Sequence, residues 1–429
     1  MNKKVLIISP YFPPSNAADM QRIRMSLPYF KTFGWDAEVV TVDPQYSDIG
    51  KDELLIQSVP GDIKIHRVKA LNKKWTSKLG LGSIALRSLW YYKKKVNQLL
   101  SANKFDLIYF STTQFPVCIL GNHWKKKFNV PYVIDMQDPW HSEYYRDKPK
   151  EQRPPKYWFS YRLNKYLEPK AMKHADGLIA VSEYYIQELK HRYPAIKNVP
   201  AAVIPFGAFQ PDTQIAESNK HLFGNLLSPE YINLAYIGRG GTDMHQAVAV
   251  LFHALQQMKQ TDIDLFDKLK IHFIGTSYAA TGQGKPTILP LAKQYGVDDI
   301  VIENTDRISY YHTLITLKQA DALFIPGSDD PKYTASKIYP YLLTGKPLLA
   351  IFNSGSPALN VLNDYGVKFA YTYDATTDIV SKVIDFLKNI INGSLTRQTY
   401  KEGAIKKYSA ENMTQQQCML FDRITNKNI

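Results

Sequence analysis

Asn233-Leu234-Ala235-Tyr236-Ile237-Gly238-Arg239-Gly240-Gly241-Thr242-Asp243 is a short apolar run that closes on a glycine-rich turn. A helical stretch follows over 246–257. A buried strand, a tight turn and a helix in that order form the unit of a parallel α/β sheet. The same unit recurs on both sides. Short apolar runs at 5–8, 37–42, 107–110, 132–134 and 177–181 read as buried strands, as do 270–274, 300–302, 322–325 and 348–351. Helical patterns lie between them at 20–33, 86–100, 308–319, 337–343 and 377–391. This alternation predicts two Rossmann-like domains in tandem, with parallel sheets facing across a cleft. The boundary falls near Val203-Ile204-Pro205-Phe206-Gly207, ahead of the polar stretch 210–220. The expected domains are 1–204 and 205–404, with 405–429 a terminal helix returning to the first.

Charge divides at the same place. Residues 1–200 carry 32 Lys and Arg against 18 Asp and Glu, whereas residues 201–429 carry 21 of each. A basic front half implies an anionic partner there: nucleic acid, a membrane surface or a phosphorylated substrate. No nucleic-acid motif is present, and the aromatics cluster by helix rather than along alternating strands, so nucleic acid is set aside. Cys118 and Cys418 lie 300 positions apart, which argues against a disulfide scaffold and a cysteine zinc site. The apolar run after Lys3-Lys4 stops at Ser9-Pro10, short of a signal peptide, and no run is long enough to span a membrane. A cytoplasmic protein is expected. In the stretches 87–95 and 153–173 aromatic rings alternate with Lys and Arg, a pattern suited to the inner face of an anionic membrane. Ordinary amphipathic helices with the rings turned inward carry the same pattern.

Ligands of open parallel sheets bind at the carboxyl ends of the strands. In the turn after 234–237, Gly238, Gly240 and Gly241 permit close backbone approach to a phosphate, and Arg239 offers charge to a diphosphate. Ser336 and Lys337 open the helix after 322–325, where a hydroxyl and an ammonium reach an anion. After 132–134 come Asp135-Met136-Gln137-Asp138-Pro139-Trp140-His141. Asp138 and His141 read as functional there, and Trp140 as a core aromatic.

Taken in order, these segments resemble the family 4 retaining glycosyltransferases of GT-B fold, in the bacterial branch that makes surface polysaccharides such as capsule and lipopolysaccharide. The resemblance rests on Ser9-Pro10-Tyr11-Phe12-Pro13-Pro14 with Gln21-Arg22, on Val130 to Trp140, and on Glu168 with Ala175-Asp176-Gly177 and Val181-Ser182. It continues through Ile204-Pro205-Phe206-Gly207, Tyr236 to Arg239, and Ser336 to Leu348. It implies a nucleotide-diphosphate sugar in the second domain, held by Gly238 to Gly241, Ser336, Lys337, Ile338 and Tyr339. It also implies a saccharide or lipid-linked acceptor in the first, met by Asn16, Arg22, Asp138, Trp140 and His141. Arg239 would stabilise the leaving diphosphate, with Asp138 and His141 placing the acceptor hydroxyl; hexosyl or N-acetylhexosaminyl transfer follows, with no metal. Asp262-Ile263-Asp264 then reads as a helix start, not a metal-binding triplet. Several features depart from the family: Ser15-Asn16-Ala17-Ala18 replace its glycine-rich loop after the first strand, Gln137-Asp138 replace its Arg-Asp, and no His follows Tyr109–Ser111. Lys332 and Pro340 replace both carboxylates of its E-x7-E motif, and Met244-His245 stand where a second phosphate-binding lysine is usual. A scaffold with a decayed donor site and a sugar-nucleotide epimerase therefore stay open beside the transferase.

Overall fold

The computed structural model describes residues 2–143, 145–146, 148–150, 153, 156–331, 337–374 and 378–426. The chain forms two compact units. One is Met1–Phe206 together with Ala410–Ile429, and the other is Gly207–Ser409. The chain re-enters the first unit at Ala410, not at 405.

The first unit is built on a seven-stranded parallel sheet: β1 (Lys3–Ile8), β2 (Trp35–Val42), β3 (Lys64–Val68), β4 (Leu107–Ser111), β5 (Tyr132–Met136), β6 (Gly177–Ala180) and β7 (Ala201–Val203). The order is β3-β2-β1-β4-β5-β6-β7, so the direction of winding reverses between β1 and β4. Val5 to Ile8 and β4 are buried on both faces, which is why they read as continuous apolar runs. Edge strand β3 (KIHRV) carries no such run. It is held by its register with Glu38–Val42 and by Glu38, whose carboxylate lies 2.8 Å from His66 Nε2. The single helix expected over 20–33 is broken into a 3₁₀ turn Ala18–Met20, a helix Gln21–Ser26 and a 3₁₀ turn Phe30–Phe33. Pro28 explains the break: it has no N–H to donate, and its ring crowds the carbonyl of Arg24.

The helix Ala410–Thr425 closes one face of this sheet. Phe421 is fully buried, with its ring 5.4 Å from Trp35, 5.1 Å from Tyr109 and 6.3 Å from Phe30. Ile424 packs on Gly177, where a Cβ would collide with it.

The second unit holds a six-stranded parallel sheet: β8 (Ile232–Ile237), β9 (Leu269–Ile274), β10 (Val301–Asn304), β11 (Ala322–Pro326), β12 (Leu348–Phe352) and β13 (Phe369–Thr372). The order is β10-β9-β8-β11-β12-β13, with its reversal between β8 and β11. Edge strand β13 escapes the sequence pattern because all four of its residues are half-buried. The polar stretch after the boundary is helical over Gln210–Ser218, and its Asp212 accepts hydrogen bonds from Tyr310 (2.9 Å) and Tyr311 (3.1 Å).

Phe421→Ala should lower the stability of the first unit by about 3–5 kcal/mol through loss of a large buried ring. Denaturant unfolding followed by Trp35 fluorescence reads this; a shift below about 1 kcal/mol would mean the helix is not part of that core.

Candidate active site

In the second unit the site grows from the reversal of the sheet. β8 and β11 pair only at Leu234 and Ala235, and then part. The hydroxyl of Tyr341 takes over the backbone of Ile237, accepting from its N–H (2.7 Å) and donating to its carbonyl (3.1 Å). The chain beyond Ile237 is thus free to turn, and the glycines set how tightly. A Cβ on Gly238 would overlap Lys337 Nζ and lie 2.9 Å from Tyr236 Oη. A Cβ on Gly240 would lie 2.9 Å from both Thr276 and Thr287, and one on Gly241 would strike the Asp243 carboxylate.

Two cations, Lys337 and Arg239, meet at this turn, and the charge of Arg307 acts on it from the loop after β10. Lys337 Nζ donates to Tyr236 Oη at 2.8 Å and lies over that ring; Tyr236 Oη donates in turn to the Arg239 carbonyl at 2.8 Å. Arg239 grips Asp243 with both terminal nitrogens, at 2.9 and 2.6 Å. Asp243 also accepts from Ser328 Oγ at 2.7 Å. Burial pushes the Lys337 amine down to about 7; the charges of Arg239 and Arg307 add to this, and Asp243 opposes it. The hydrogen bonds from Arg239 hold the Asp243 carboxyl below its usual range. A second carboxylate, Glu303, accepts from Thr276 Oγ1 (2.7 Å) and the Thr287 N–H (3.0 Å) behind Gly240, so the charge open to a diphosphate here is that of Lys337 and of Arg239 once it leaves Asp243.

The first unit contains a cavity of about 510 Å³ beyond the ends of β4 and β5. Thr113, Gln114 and Phe115 line it from one strand end, and Asp138 and Trp140 from the other. Trp140 is buried, stacks on Phe115 at 5.4 Å and donates its indole N–H to Asn164 at 3.1 Å. The Asp138 carboxyl is held above its usual range by desolvation and then by the charge of Asp19. Helix Tyr157–Met172 supplies the facing wall. Gly80 (φ +78°) lets the Phe159 ring close in, since a Cβ there would come within 2.6 Å of it.

Not every expected residue faces these sites. Arg22, expected on the acceptor side, is 2 % exposed and ion-paired with Asp135 at 2.6 Å. Its Nη2 donates to the Ile204 carbonyl at 2.6 Å, so its charge is spent inside the fold. Asn16 is exposed in the loop after β1, its backbone N–H bonded to Gly50, and it does not line the cavity. His141 is not a lining residue either. It is buried against the Tyr161 ring at 4.9 Å, and burial holds its imidazole below the usual range. Its backbone N–H donates to the buried Glu168 at 2.8 Å. Ile338 and Tyr339, expected to touch a donor, are buried in the core of the second unit, Tyr339 beside Tyr408. They fix the start of the helix Ile338–Leu343 and so the placement of Lys337. Ser336 lies outside the described residues. Asp262 pairs with Lys388 at 2.9 Å and precedes the helix Ile263–Phe266. Sequence reasoning missed Tyr236, Arg307 and Asp19. Arg307 follows the end of β10, and its position there was the available signal.

Of the two basic aromatic stretches, Trp90, Trp158, Phe159 and Tyr166 are exposed and Tyr92 is buried; Trp75, outside both, is exposed as well. Cations cover several of these rings: Lys78 on Trp75 (5.8 Å), Lys94 on Trp90 (5.4 Å), Arg153 on Trp158 (5.2 Å) and Lys170 on Tyr166 (3.6 Å). Among the described residues no helix is long and apolar enough to cross a membrane.

A pair of parallel α/β units, each with its ligand-bearing loops at the strand ends, is the fold class of the GT-B glycosyltransferases. Residues 38–208, most of the first unit, match the sequence model of Glycosyltransferase Family 4. Among solved structures the chain is similar to a sucrose-phosphate synthase from Thermosynechococcus elongatus, at 14% identity and TM-score 0.51, covering 99% of this chain and 97% of that one. It is also similar to the lipopolysaccharide outer core galactosyltransferase WaaB, at 13% and 0.51, covering 99% and 100%. A trehalose-6-phosphate protein from E. coli bound with UDP-2-fluoro glucose gives 11% and 0.52, covering 98% and 99%. At these identities the likeness is one of fold. No curated protein matches the chain.

Proposed function

We propose that this chain is a retaining glycosyltransferase, moving a sugar from a nucleotide diphosphate to a saccharide or lipid-linked acceptor in surface polysaccharide synthesis. The observation that carries the reading is the meeting of Lys337 with the glycine turn of Arg239, where its Nζ would touch a Cβ on Gly238 and donates to Tyr236 Oη at 2.8 Å. One solved neighbour of the same fold is bound with UDP-2-fluoro glucose, and that class of donor suits this turn. The diphosphate would lie against Gly238 to Gly241. Arg239, released from Asp243, and Lys337 would neutralise it as the glycosidic bond breaks. Stabilisation of the departing charge is the main catalytic contribution in this scheme, and Arg239 and Lys337 would supply it without a metal. The departing phosphate oxygen would take the proton of the acceptor hydroxyl. Lys337 stands in for the second phosphate-binding lysine absent at Met244-His245.

Arg239→Ala should lower turnover about 100-fold, as loss of one charge-stabilising donor does elsewhere. A fall of less than about threefold would remove Arg239 from that role. Thermal shift against a panel of nucleotide sugars serves as the companion test, and silence toward all of them would mark a scaffold.

Donor binding should also depend on pH. Lys337 releases its proton near pH 7 in the unloaded protein, whereas a bound diphosphate favours the protonated form. Binding then takes up a proton above that pH, so affinity falls as pH rises from about 6.5 to 8.5, by up to tenfold per unit. A nucleotide sugar is the right probe, because its diphosphate does not titrate in this range. Lys337→Met should bind more weakly and flatten the profile; a flat profile in the natural protein would place Lys337 away from the diphosphate.

The exposed rings and cations of the first unit support attachment to the inner face of an anionic membrane. Sedimentation with vesicles containing about 30% anionic lipid should carry the protein down at low salt. The Trp90→Ala, Trp158→Ala double variant should lose most of this, and equal binding by both proteins would end the membrane reading.

A further inference from the structure

Arg239 and Asp243 stand four residues apart on one turn, and a glycine between them lets them close. A Cβ on Gly241 would strike the Asp243 carboxylate and lie 3.1 Å from Arg239 Nη1. With no side chain there, the guanidinium meets the carboxylate through both terminal nitrogens, as a fork. Each side chain is 29 % exposed, so water screens the pair only in part.

The two partners are not held alike. Asp243 Oδ2 accepts from Ser328 Oγ at 2.7 Å, and the Asp243 carbonyl accepts from the Asp329 N–H at 2.7 Å. Ser328 is itself buried; its Oγ accepts from the Asp330 N–H and its carbonyl from Tyr373 Oη, each at 3.2 Å. The carboxylate is thus fastened to the loop after β11 by contacts that do not involve Arg239. Arg239 reaches it on a long side chain rich in rotamers. When the two separate, the arginine is the one that moves. An anion arriving at this turn must therefore draw Arg239 away from a carboxylate that stays. A single negative charge trades one ion pair for another and gains little, whereas two phosphates bring more charge than Asp243 offers.

We infer that Asp243 is a charge latch on the anion site: it holds Arg239 until a ligand with at least two negative charges displaces it, and takes Arg239 back when that ligand leaves. That the ligand is a nucleotide diphosphate rests on the proposed transfer reaction; the latch requires only the anion. Asp243 acts through Arg239 as a positioning residue, and it works against binding. It thereby limits how tightly the site keeps a diphosphate product that has to be released.

Titration calorimetry of the full chain with inorganic pyrophosphate, at about pH 7.5 and low salt, tests this. Asp243→Asn removes the charge while leaving an acceptor for Ser328, and should tighten pyrophosphate about tenfold. Asp243→Ala should do the same and keeps the test intact if the asparagine variant fails to fold. In an Arg239→Ala background, Asp243→Asn should gain less than about threefold, because no arginine remains to be released. An equal gain in both backgrounds would mean plain repulsion between carboxylate and ligand and overturns the latch. Weaker or unchanged binding by Asp243→Asn overturns it as well, while leaving the proposed reaction untouched. Pyrophosphate binding by neither the natural protein nor the variant removes the latch together with the donor site. Tighter binding by the variant, with no transfer from any nucleotide sugar, would sink the proposed reaction and leave the latch standing.

Discussion

The buried ion pair of Arg22 and Asp135 is the constraint around which the first unit is arranged. Neither side chain meets water, and they lie 2.6 Å apart. Hydrogen bonds around such a pair offset part of its desolvation. Here Tyr109, Ser111 and Gln137 all donate to the Asp135 oxygen that meets Arg22, at 3.1, 3.3 and 3.1 Å, while its Oδ1 is buried without a hydrogen-bond partner. Arg22 gives its remaining donors to the carbonyls of Ile204 and Pro205, with Phe206 stacked at 4.8 Å. The network therefore ties the segment after β1 to β4, to β5 and to the point where the chain leaves the unit. Asp138 lies only three residues beyond Asp135, and the position of the cavity wall follows from this knot. Breaking such a pair from one side costs about 3–5 kcal/mol, because the survivor is left charged and dry.

Several of the strands legible in the sequence are buried on both faces, although edge strand β10, read at 300–302, is not. Val5 to Ile8, β4, β11 and β12 are continuous apolar runs because no position along them meets water. The edge strands β3 and β13 escaped notice for the converse reason. Each is only partly covered, so its polarity is mixed and its identity comes from the neighbour it pairs with. The helix expected over 20–33 shows a different limit: its apolar period is real, yet one proline outweighs it.

The candidate sites were legible in part. The glycine-arginine turn and Lys337 are recognisable because strand ends and glycines are local signals. Arg22 was misread because its exposure depends on Asp135, which is distant in sequence. His141 belongs to the right loop but faces Tyr161, a choice of rotamer that no spacing encodes. Asp19 gave no signal at all; its meaning comes from Thr112 and Thr113, more than ninety positions along the chain and brought near by the pairing of β1 with β4.

The helix Ala410–Thr425 has a consequence for biosynthesis. The face made by Phe30, Trp35 and Tyr109 receives Phe421 from the far end of the chain. While a ribosome is still making the protein, that face has no cover. The second unit, contiguous from Gly207 to Ser409, can be completed first although it is encoded later. The core of the first unit is therefore finished only by residues made after the whole of the second unit.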